Sequence, residues 1–540
     1  MASPLNHRRH RNYRNYRKYR RRQLTLAGTC AVIAVATGAA ASAVAAAPPV
    51  PAAATLSRAG GMTAAKPHVA EGALGVNVAP WDYSYAPSDT GAPAMQRMLK
   101  AAGVGMLHYG GGMWADYYDW QTNSDIKKCL PRHTDGSFTG ECSTGDALSF
   151  ADFSKQARTL GAGSFVTVNY GSGTPDLAAR WVAAARNTPG QAVRLWEVGN
   201  ESYGCWEVNN PLAQAPERYR GYTPGTYISV HGRWENPTCP QVTQGAARGT
   251  QTLADSYAAN SRKFFEAMKK ADPSARIGVP WAFGSSVHGA AVQNAGVWNR
   301  TVLQADGQDA GFVDARWYPY DFSGRTGGAN PSDSQVLRQL YTVPALYRQM
   351  RQTLNTYDPK AGVVIGETGI TNAESLTVCQ PVGAIFAAGD VLSWLAAGAS
   401  SVNWFDLNNY GNTTPACKDG DYGLFTSSEQ PAPETPYWGY LLASKLAVPG
   451  ASLGAIMVSG PAAKSVLAYE SVFPGGRRAI ALVNTGASPA RHVEVRPFKA
   501  LSGRLRTWTY STGAPRIVTG TAGTGSVTLP GESIRVMETD

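Results

Sequence analysis

The sequence predicts an α/β protein, a (β/α)8 TIM barrel followed by an all-β sandwich domain. Between residues 70 and 447, eight short β-like runs alternate with stretches of helical spacing. The runs are nearly continuously apolar, as expected for parallel strands that are covered on both faces. From residue 448 to residue 540, strands follow one another without helices. Eight β/α units and a trailing series of strands are typical of a closed barrel with an appended β domain.

The predicted barrel strands are short runs rich in aliphatic and aromatic residues. They are Leu74–Val78, Val104–Tyr109, Ser164–Asn169, Val193–Val198, Arg276–Val279, Phe312–Trp317, Val363–Ile365 and Ser401–Phe405. Between them, apolar residues recur every three or four positions, most clearly in Pro175–Arg186, Thr252–Lys270, Ser334–Leu354 and Val382–Ala397. An open, doubly wound sheet is the structural alternative, but no Gly-x-Gly-x-x-Gly motif follows the first run to hold a dinucleotide.

The predicted β domain contains six strands separated by Gly, Pro and Ser turns. They are Val466–Glu470, Ala479–Asn484, His492–Val495, Leu505–Tyr510, Ser526–Leu529 and Ser533–Glu538. A domain of this kind binds carbohydrate or supports the barrel. We expect support, because no row of aromatic residues stands out in these strands.

The composition is that of a folded protein. Of the 540 residues, 43% are hydrophobic and 16% are charged, which excludes a disordered chain, and the 58 glycines lack the period of collagen. The 14 Trp and 25 Tyr suit surfaces that stack flat, amphipathic ligands such as sugar rings, although core packing uses the same residues.

The first 47 residues predict a secretory signal peptide. Nine cations and no acid lie in residues 1–22, an apolar, Ala-rich run follows, and small residues at 45–47 form the expected cleavage site. A retained membrane anchor is the alternative, for which the run is only marginally apolar. Without these cations the net charge of +11 falls to +2, so we expect neither nucleic-acid binding nor membrane association after cleavage. The prediction is a secreted protein with a Pro/Ala-rich linker at residues 48–69.

Six of the seven cysteines remain after removal of the segment that contains Cys30. In an exported protein this even number predicts three disulfide bonds, and six cysteines can be connected in about fifteen different ways. No C-x-x-C spacing indicates a structural zinc site, and no cofactor or metal is expected. Proximity in the sequence favours the pairs Cys129 with Cys142, Cys205 with Cys239, and Cys379 with Cys417.

Glutamates follow two of the predicted strands. The fourth strand runs into Glu201 and the seventh into Glu367. Because barrel enzymes hold catalytic groups at the carboxyl ends of strands, we expect these carboxyl groups to face each other across the barrel mouth. Such a pair cleaves glycosidic bonds: one acid protonates the leaving oxygen, and the other attacks the anomeric carbon or activates water. For either residue alone, an ion pair or a solvated loop acid is the simpler interpretation.

A second acid of the fourth strand, Glu197, lies four residues before Glu201. At about 3.3 Å per residue, the two positions are about 13 Å apart along the strand. We therefore expect Glu197 to have a structural role, with a buried cationic or hydrogen-bonding partner.

The end of the fourth strand, Asn200-Glu201, and Glu367 after the seventh resemble clan A of the retaining glycoside hydrolases. Three segments, Gly110–Trp120, Thr167–Pro175 and Trp196–Glu201, are similar to α-L-arabinofuranosidase-like enzymes, and the resemblance covers roughly residues 72–540. It implies that Glu201 is the general acid/base, Glu367 the nucleophile, and Asn200 a donor to the hydroxyl beside the anomeric carbon. Retention then predicts carboxyl groups about 5 to 5.5 Å apart and a covalent glycosyl intermediate.

Two positions depart from the family pattern. The family has Arg before the glycine-rich segment on strand two and His two residues before the Tyr of strand six, whereas this chain has His108 and Arg316. We expect Arg316 to supply the positive charge that keeps Glu367 ionised, and His108 to take the hydrogen-bonding place. Drift, in a protein that has lost activity or accepts another substrate, is the alternative.

Aromatic and amide side chains at other strand ends complete the predicted sugar site. Trp404 on the eighth strand is expected to form a floor under the sugar ring, and Tyr318 to hydrogen-bond the nucleophile. Four more residues near strand ends are expected to line the pocket: Asn77, Trp114, Asn169 and Trp281.

Together these features predict a secreted, retaining glycoside hydrolase that acts on poly- or oligosaccharides, with an α-L-arabinofuranosidase as the specific hypothesis. A β-glucuronidase of the heparanase type and an endo-glucanase or xylanase are the alternatives within the enzyme class. A carbohydrate-binding protein on an inactive barrel is the alternative outside it. The sequence leaves the oligomeric state open.

Overall fold

A computed structural model describes twelve segments of the chain. They are residues 67–80, 82–125, 148–171, 173–204, 247–283, 295–320, 331–371, 377–408, 422–426, 430–495, 504–523 and 526–539. The predicted signal peptide, most of the predicted linker and all predicted disulfide cysteines except Cys379 lie outside these residues. Cys379 is disulfide-bonded, and its pairing with Cys417 stays a prediction.

Eight parallel strands close into a barrel, which confirms the predicted fold class. Each strand pairs with the next in the chain, and the eighth pairs with the first. They are β1 (Leu74–Val78), β2 (Met106–Tyr109), β3 (Gly163–Val168), β4 (Leu195–Val198), β5 (Ile277–Trp281), β6 (Phe312–Trp317), β7 (Gly362–Thr368) and β8 (Ser401–Trp404). The largest difference from the prediction is at β7, which extends to Thr368, so that Glu367 lies within the strand.

Helices cover the barrel. Those described are α1 (Ala92–Ala101), α2 (Phe150–Leu160), α3 (Pro175–Asn187), α4 (Ala247–Ala271), α5 (Ala295–Asp306), α6 (Asp333–Arg338), α7 (Val343–Tyr357), α8 (Val382–Ala397) and α9 (Thr435–Ala443). The single helix predicted at 334–354 is divided into α6, a 3-10 turn at Gln339–Tyr341, and α7. Pro344 explains the break, because proline lacks the N–H that a continuous helix needs and fits only its first turn.

Strand alternation places a polar layer directly above an apolar layer inside the barrel. Five apolar side chains form one cluster: Met106, Phe165, Leu195, Phe312 and Val364. Two residues further along the same strands, and therefore on the same face, are His108, Thr167, Glu197, Asp314 and Gly366. All five strands thus change from hydrophobic to polar at one level, towards the carboxyl ends where barrel enzymes carry their sites.

The C-terminal residues form an antiparallel β domain of two sheets. Its strands are β9 (Ser452–Ala455), β10 (Val458–Ser459), β11 (Val466–Val472), β12 (Arg478–Asn484), β13 (Ala490–Val495), β14 (Leu505–Ser511), β15 (Ala514–Ala522), β16 (Val527–Leu529) and β17 (Ser533–Thr539). The sheet orders are β9-β11-β12-β17-β14-β15 and β10-β13-β16. The sequence missed β9, β10 and β15: the first two are short, and β15 is an edge strand whose largely exposed residues give no apolar alternation.

The β domain contacts the barrel through α8. This helix is buried along residues 382–395, and its Ser393 Oγ lies 2.6 Å from the Tyr469 hydroxyl of β11. On the same strand, Ser471 Oγ donates to the carbonyl of Leu446 at 2.8 Å. No helix within the described segments combines the length and the apolarity that a membrane span requires.

Candidate active site

The guanidinium of Arg316, on β6, is the electrostatic centre of the polar layer. Its two Nη atoms each donate to one carboxylate oxygen of Glu197, both at 2.8 Å. Nη1 also donates to Asp314, and Nη2 donates to Asn200 Oδ1 at 2.9 Å. The remaining nitrogen of the guanidinium, Nε, lies 3.5 Å from Glu367 Oε1. The predicted buried partner of Glu197 is therefore confirmed as Arg316, which also contacts the predicted nucleophile.

Glu367 is held between two donors. The Tyr318 hydroxyl donates to Oε2 at 2.8 Å, and Arg316 lies beside Oε1. The pKa of Glu367 is raised to about 7: burial and the charge of Glu201 raise it, and Arg316 and Tyr318 act to lower it. The carboxyl group is therefore poised between its two protonation states near neutral pH, with both of these neighbours favouring the ionised form.

A β-bulge at Gly366 orients Glu367. On β6, Ala315 pairs with Ile365 and Arg316 pairs with Glu367, so Gly366 is left over between them. Its carbonyl accepts from Asn77 Nδ2 at 2.8 Å and lies 3.0 Å from His108 Nδ1. A Cβ at this position would lie 2.2 Å from an oxygen of Asp314, so only glycine fits.

His108 is a neutral hydrogen-bonding residue. Burial, followed by the charge of Arg316, lowers its pKa to about 3. Because the Gly366 carbonyl can only accept, Nδ1 carries the ring proton. Nε2 lies 2.8 Å from Thr167 Oγ1, which lies 2.9 Å from Glu197 Oε2. The hydroxyl of Thr167 has one proton, which it can donate to His108 Nε2 or to Glu197 Oε2. Thr167 therefore links His108 to the hydrogen-bond network of Arg316.

Glu201 lies just beyond β4 and has a partner that the sequence did not indicate. Its side chain is half-buried, its φ is +37°, and Tyr203 donates to Oε1 at 3.0 Å. A non-glycine residue at positive φ is strained, which is common where a side chain must be aimed at a site. The charge of Glu201 contributes to the raised pKa values of Tyr203 and Glu367, so the two glutamates interact.

Asn200 is fully buried beside Glu201. Its Oδ1 accepts from Arg316, and a guanidinium can only donate. This contact fixes the amide orientation and turns Nδ2, the donor, to the other side. The arrangement is compatible with the predicted donation to a sugar hydroxyl.

Trp404 lies on the predicted strand, but its side chain does not face the barrel mouth, so the prediction of a sugar platform is wrong. It is fully buried, its rings pack against Phe386 of α8 and Tyr440 of α9, and its indole N–H donates to the Tyr422 carbonyl at 2.8 Å. The side chain points to the outer helices because β8 alternates in direction, which excludes it as a floor under a sugar. The next residue, the half-buried Phe405, packs near Gly112 in the loop after β2.

The other predicted pocket residues are buried at strand ends. Asn169 donates to the Tyr118 carbonyl at 3.1 Å and accepts from the Gly173 N–H at 2.9 Å, so it fastens two loops together. Trp281, at the end of β5, and Trp114 are also buried. Sugar binding by these residues stays a prediction.

The residues that the sequence analysis missed are Tyr203, Asp314, Thr167 and Gly366. Asp314 and Thr167 lie two residues before the predicted site residues Arg316 and Asn169, and strand alternation is the signal that could have found them. Gly366 directly precedes Glu367, and a glycine inside a strand indicates a bulge. Tyr203 lies in irregular chain, where no periodic signal exists.

One group of side chains among the described residues has the spacing of a metal site. Ligand atoms of His108, Glu197 and Asp314 all lie within 4.8 Å of one another. Both carboxyl groups bind the guanidinium of Arg316, and the ring nitrogens of His108 face Gly366 and Thr167. The donor set therefore already surrounds a cation that belongs to the chain itself.

Comparisons with known proteins agree with the motif resemblance. No family model matches the chain. An intracellular exo-α-L-arabinofuranosidase of Bacteroides ovatus is 29% identical over 141 residues, which are 23% of this chain and 27% of that protein. An intracellular exo-α-(1→5)-L-arabinofuranosidase of Bifidobacterium longum is 22% identical over 247 residues, 43% of this chain and 35% of that protein. The matched part of the chain thus spans about a third or less of these relatives.

Solved structures share the fold over a longer region. The α-L-arabinofuranosidase of Thermotoga maritima superposes with a TM-score of 0.59 and 15% identity, covering 88% of this chain and 97% of that one. CelM2, a bifunctional glucanase-xylanase from a metagenome library, superposes with a TM-score of 0.53 and 14% identity, covering 88% and 97%. The resemblance of this chain to the α-L-arabinofuranosidase-like enzymes of clan A is thus confirmed, in sequence over part of the chain and in fold over most of it.

Proposed function

We propose that the protein is a retaining glycoside hydrolase that uses Glu201 and Glu367. The observation that carries the proposal is the environment of Glu367: a carboxyl group at the carboxyl end of β7, held by Tyr318 and Arg316, whose pKa of about 7 responds to the charge of Glu201. A buried ion pair with only a structural role would not need a second acid at the mouth of the barrel.

The two glutamates would act in turn. Glu367 attacks the anomeric carbon while Glu201 gives its proton to the leaving oxygen, which forms a glycosyl ester and releases the first product. Glu201 then removes a proton from water, which attacks the same carbon and releases Glu367. Tyr203 would hold the Glu201 carboxyl group in place through its 3.0 Å hydrogen bond.

The substrate we favour is an α-L-arabinofuranosyl group on a poly- or oligosaccharide. The names of the sequence relatives support this choice. The fold does not select it, since a bifunctional glucanase-xylanase has the same fold at a similar TM-score. A β-glucuronidase and an endo-acting glucanase or xylanase remain the alternatives.

A panel of aryl glycosides that differ only in the sugar tests the proposal. We expect hydrolysis of the α-L-arabinofuranoside, with the first-formed sugar retaining its anomeric configuration by NMR. Glu201→Gln and Glu367→Gln should each lower kcat/KM by at least about 10³-fold. Glu470→Gln is the matched control, because Glu470 is also a buried glutamate paired with an arginine, Arg478 at 2.7 Å, but lies in the β domain.

The same variants distinguish an enzyme from a binding protein. An inactive carbohydrate-binding barrel would cleave no member of the panel and would bind a sugar by calorimetry with the same affinity before and after Glu367→Gln. That result would contradict the proposed activity.

We also propose that the protein is exported and cleaved after residue 47. The basic residues 1–22 and the Ala-rich run that follows support this. Expression of the full chain in a secreting host, followed by N-terminal sequencing of the protein in the medium, tests it. Cell-associated protein with an intact N-terminus would contradict it.

A further inference from the structure

Arg316 divides its positive charge unequally between two carboxylates. Glu197 takes both Nη groups at 2.8 Å, whereas Glu367 faces Nε at 3.5 Å. Neither Arg316 nor Glu197 is exposed, and the side chain of Glu367 is 5% exposed. Where water is excluded, charges interact strongly, so the share that each carboxylate receives has a large effect on its protonation.

We propose that Glu197 is a positioning residue for Glu367: by binding both Nη groups of Arg316, it sets how much positive charge reaches the nucleophile. The inference rests on the proposed function in one respect, the assignment of Glu367 as the nucleophile. It gives Glu197 a role beyond the structural one that its sequence position indicates.

Glu197 is the carboxylate that Arg316 contacts most fully. It accepts from both Nη groups at 2.8 Å, whereas Asp314 accepts from Nη1 alone. Burial raises the pKa of Asp314 and of Glu197, and the charge of Arg316 acts to lower both. His108 adds no charge to the group, because burial and the charge of Arg316 lower its pKa to about 3.

Within the described part of the chain, the groups that face Glu367 come from β6, from the residues beyond β4 and from β7. Arg316 approaches from β6 and Tyr318 from the position directly after this strand, and the charge of Glu201, to which the Tyr203 hydroxyl donates, acts from beyond β4. On β7, the Gly366 carbonyl before Glu367 is bound by His108 of β2. Arg316 is the only cation among these described groups, so the share of its charge that reaches Glu367 favours the ionised carboxylate.

Three substitutions in the full chain test the proposal: Glu197→Gln, Asp314→Asn and the double variant. The midpoint for ionisation of Glu367 is read in two ways, from the acid limb of kcat/KM and from an infrared carboxyl band that Glu367→Gln removes. With both counter-ions neutralised, we expect the midpoint to fall by about one pH unit or more. Glu197→Gln alone should give a smaller fall, because Asp314 still accepts from Nη1. Asp314→Asn alone should give a smaller fall than Glu197→Gln, because it changes one acceptor of Arg316 rather than two.

Glu470→Gln is the control, since it removes the same charge from a buried pair in the β domain and should not move the midpoint. An unchanged or raised midpoint in the double variant would overturn the proposal. If the double variant does not fold, Glu197→Asp replaces it. Aspartate keeps the charge but is too short to reach both Nη groups, so a smaller fall is expected and no fall would overturn the proposal. If the wild-type protein cleaves no glycoside, the proposed function fails, but the infrared titration still decides this inference.

Discussion

The hydroxyl of Tyr318, the residue directly after β6, donates a hydrogen bond of 2.8 Å to the carboxylate of Glu367 on the neighbouring strand β7. A donor of this kind stabilises the ionised carboxylate, and with Arg316 it opposes the effect of burial on the pKa of Glu367. The two residues therefore share control of the form in which Glu367 enters a reaction.

Tyr318→Phe should shift the acid limb of kcat/KM to higher pH. Loss of the donor raises the pKa of Glu367 from its value of about 7, so a larger fraction is protonated and inactive at neutral pH. We expect a shift of up to about one unit, measured from the pH profile of the best aryl glycoside. Tyr341→Phe, which removes a hydroxyl 3.3 Å from Thr485 Oγ1, is the control and should leave the profile in place.

Glu367→Gln should make the fold more stable at high pH. The pKa of Glu367 is raised from 4.5 to about 7 in the folded state, so its ionisation destabilises the fold as pH rises through this window. Glutamine does not titrate and removes this cost, which is at most about 3 kcal/mol. Urea denaturation at about pH 5 and about pH 8 measures the difference; an equal effect of the substitution at both pH values would contradict the raised pKa.

Gly366→Ala should destabilise the protein by about 1–3 kcal/mol. The new methyl group would lie 2.2 Å from Asp314, which Arg316 holds in place. Gly296→Ala in α5 is the control, because its Cβ would meet only Arg300 Nη1 at 3.6 Å, and it should be neutral or stabilising. Adding Asp314→Ala to Gly366→Ala should recover part of the loss; strictly additive effects would show that the two residues do not collide.

Tyr203→Phe should lower kcat by about tenfold with little change in KM. The hydroxyl holds Oε1 of Glu201 at 3.0 Å, so its loss frees the acid/base to rotate without removing a direct contact to the sugar. Steady-state kinetics on the aryl glycoside measure both constants. A large rise in KM with unchanged kcat would instead place Tyr203 in substrate binding.

Trp404→Phe should lower stability and leave KM unchanged. The indole is buried among Phe386 and Tyr440, so the substitution opens a cavity outside the barrel and removes the hydrogen bond to Tyr422. Thermal unfolding and KM are compared with the wild-type values. A severalfold rise in KM in a stable variant would restore the sugar-platform hypothesis.

The barrel was predictable because its strands are fully buried. An apolar run such as Val363–Ile365 is visible in the sequence whichever face each residue takes, and Glu367 follows where this run ends. The contact between Glu197 and Arg316 was predictable in part, because a carboxylate inside a barrel requires a partner. The sequence does not show that this partner is Arg316. The two residues are 119 positions apart and meet only because the sheet closes into a barrel, and no local sequence pattern records that contact.

The prediction for Trp404 was wrong because the role of this residue depends on the direction of its side chain, which the residue type does not reveal. Trp404 and Phe405 are adjacent aromatics at one strand end, and only the register of β8 determines which of them faces the helices. The edge strand β15 was missed for the opposite reason, since a strand with little buried surface leaves no pattern in its residue types.

The helix α8 lies between the barrel and the β domain, buried along residues 382–395 and bonded to Tyr469 through Ser393. A barrel without its C-terminal partner would present this apolar helix to water. Truncation near residue 448 should therefore yield insoluble material rather than a smaller enzyme, and intact protein should melt in a single cooperative step.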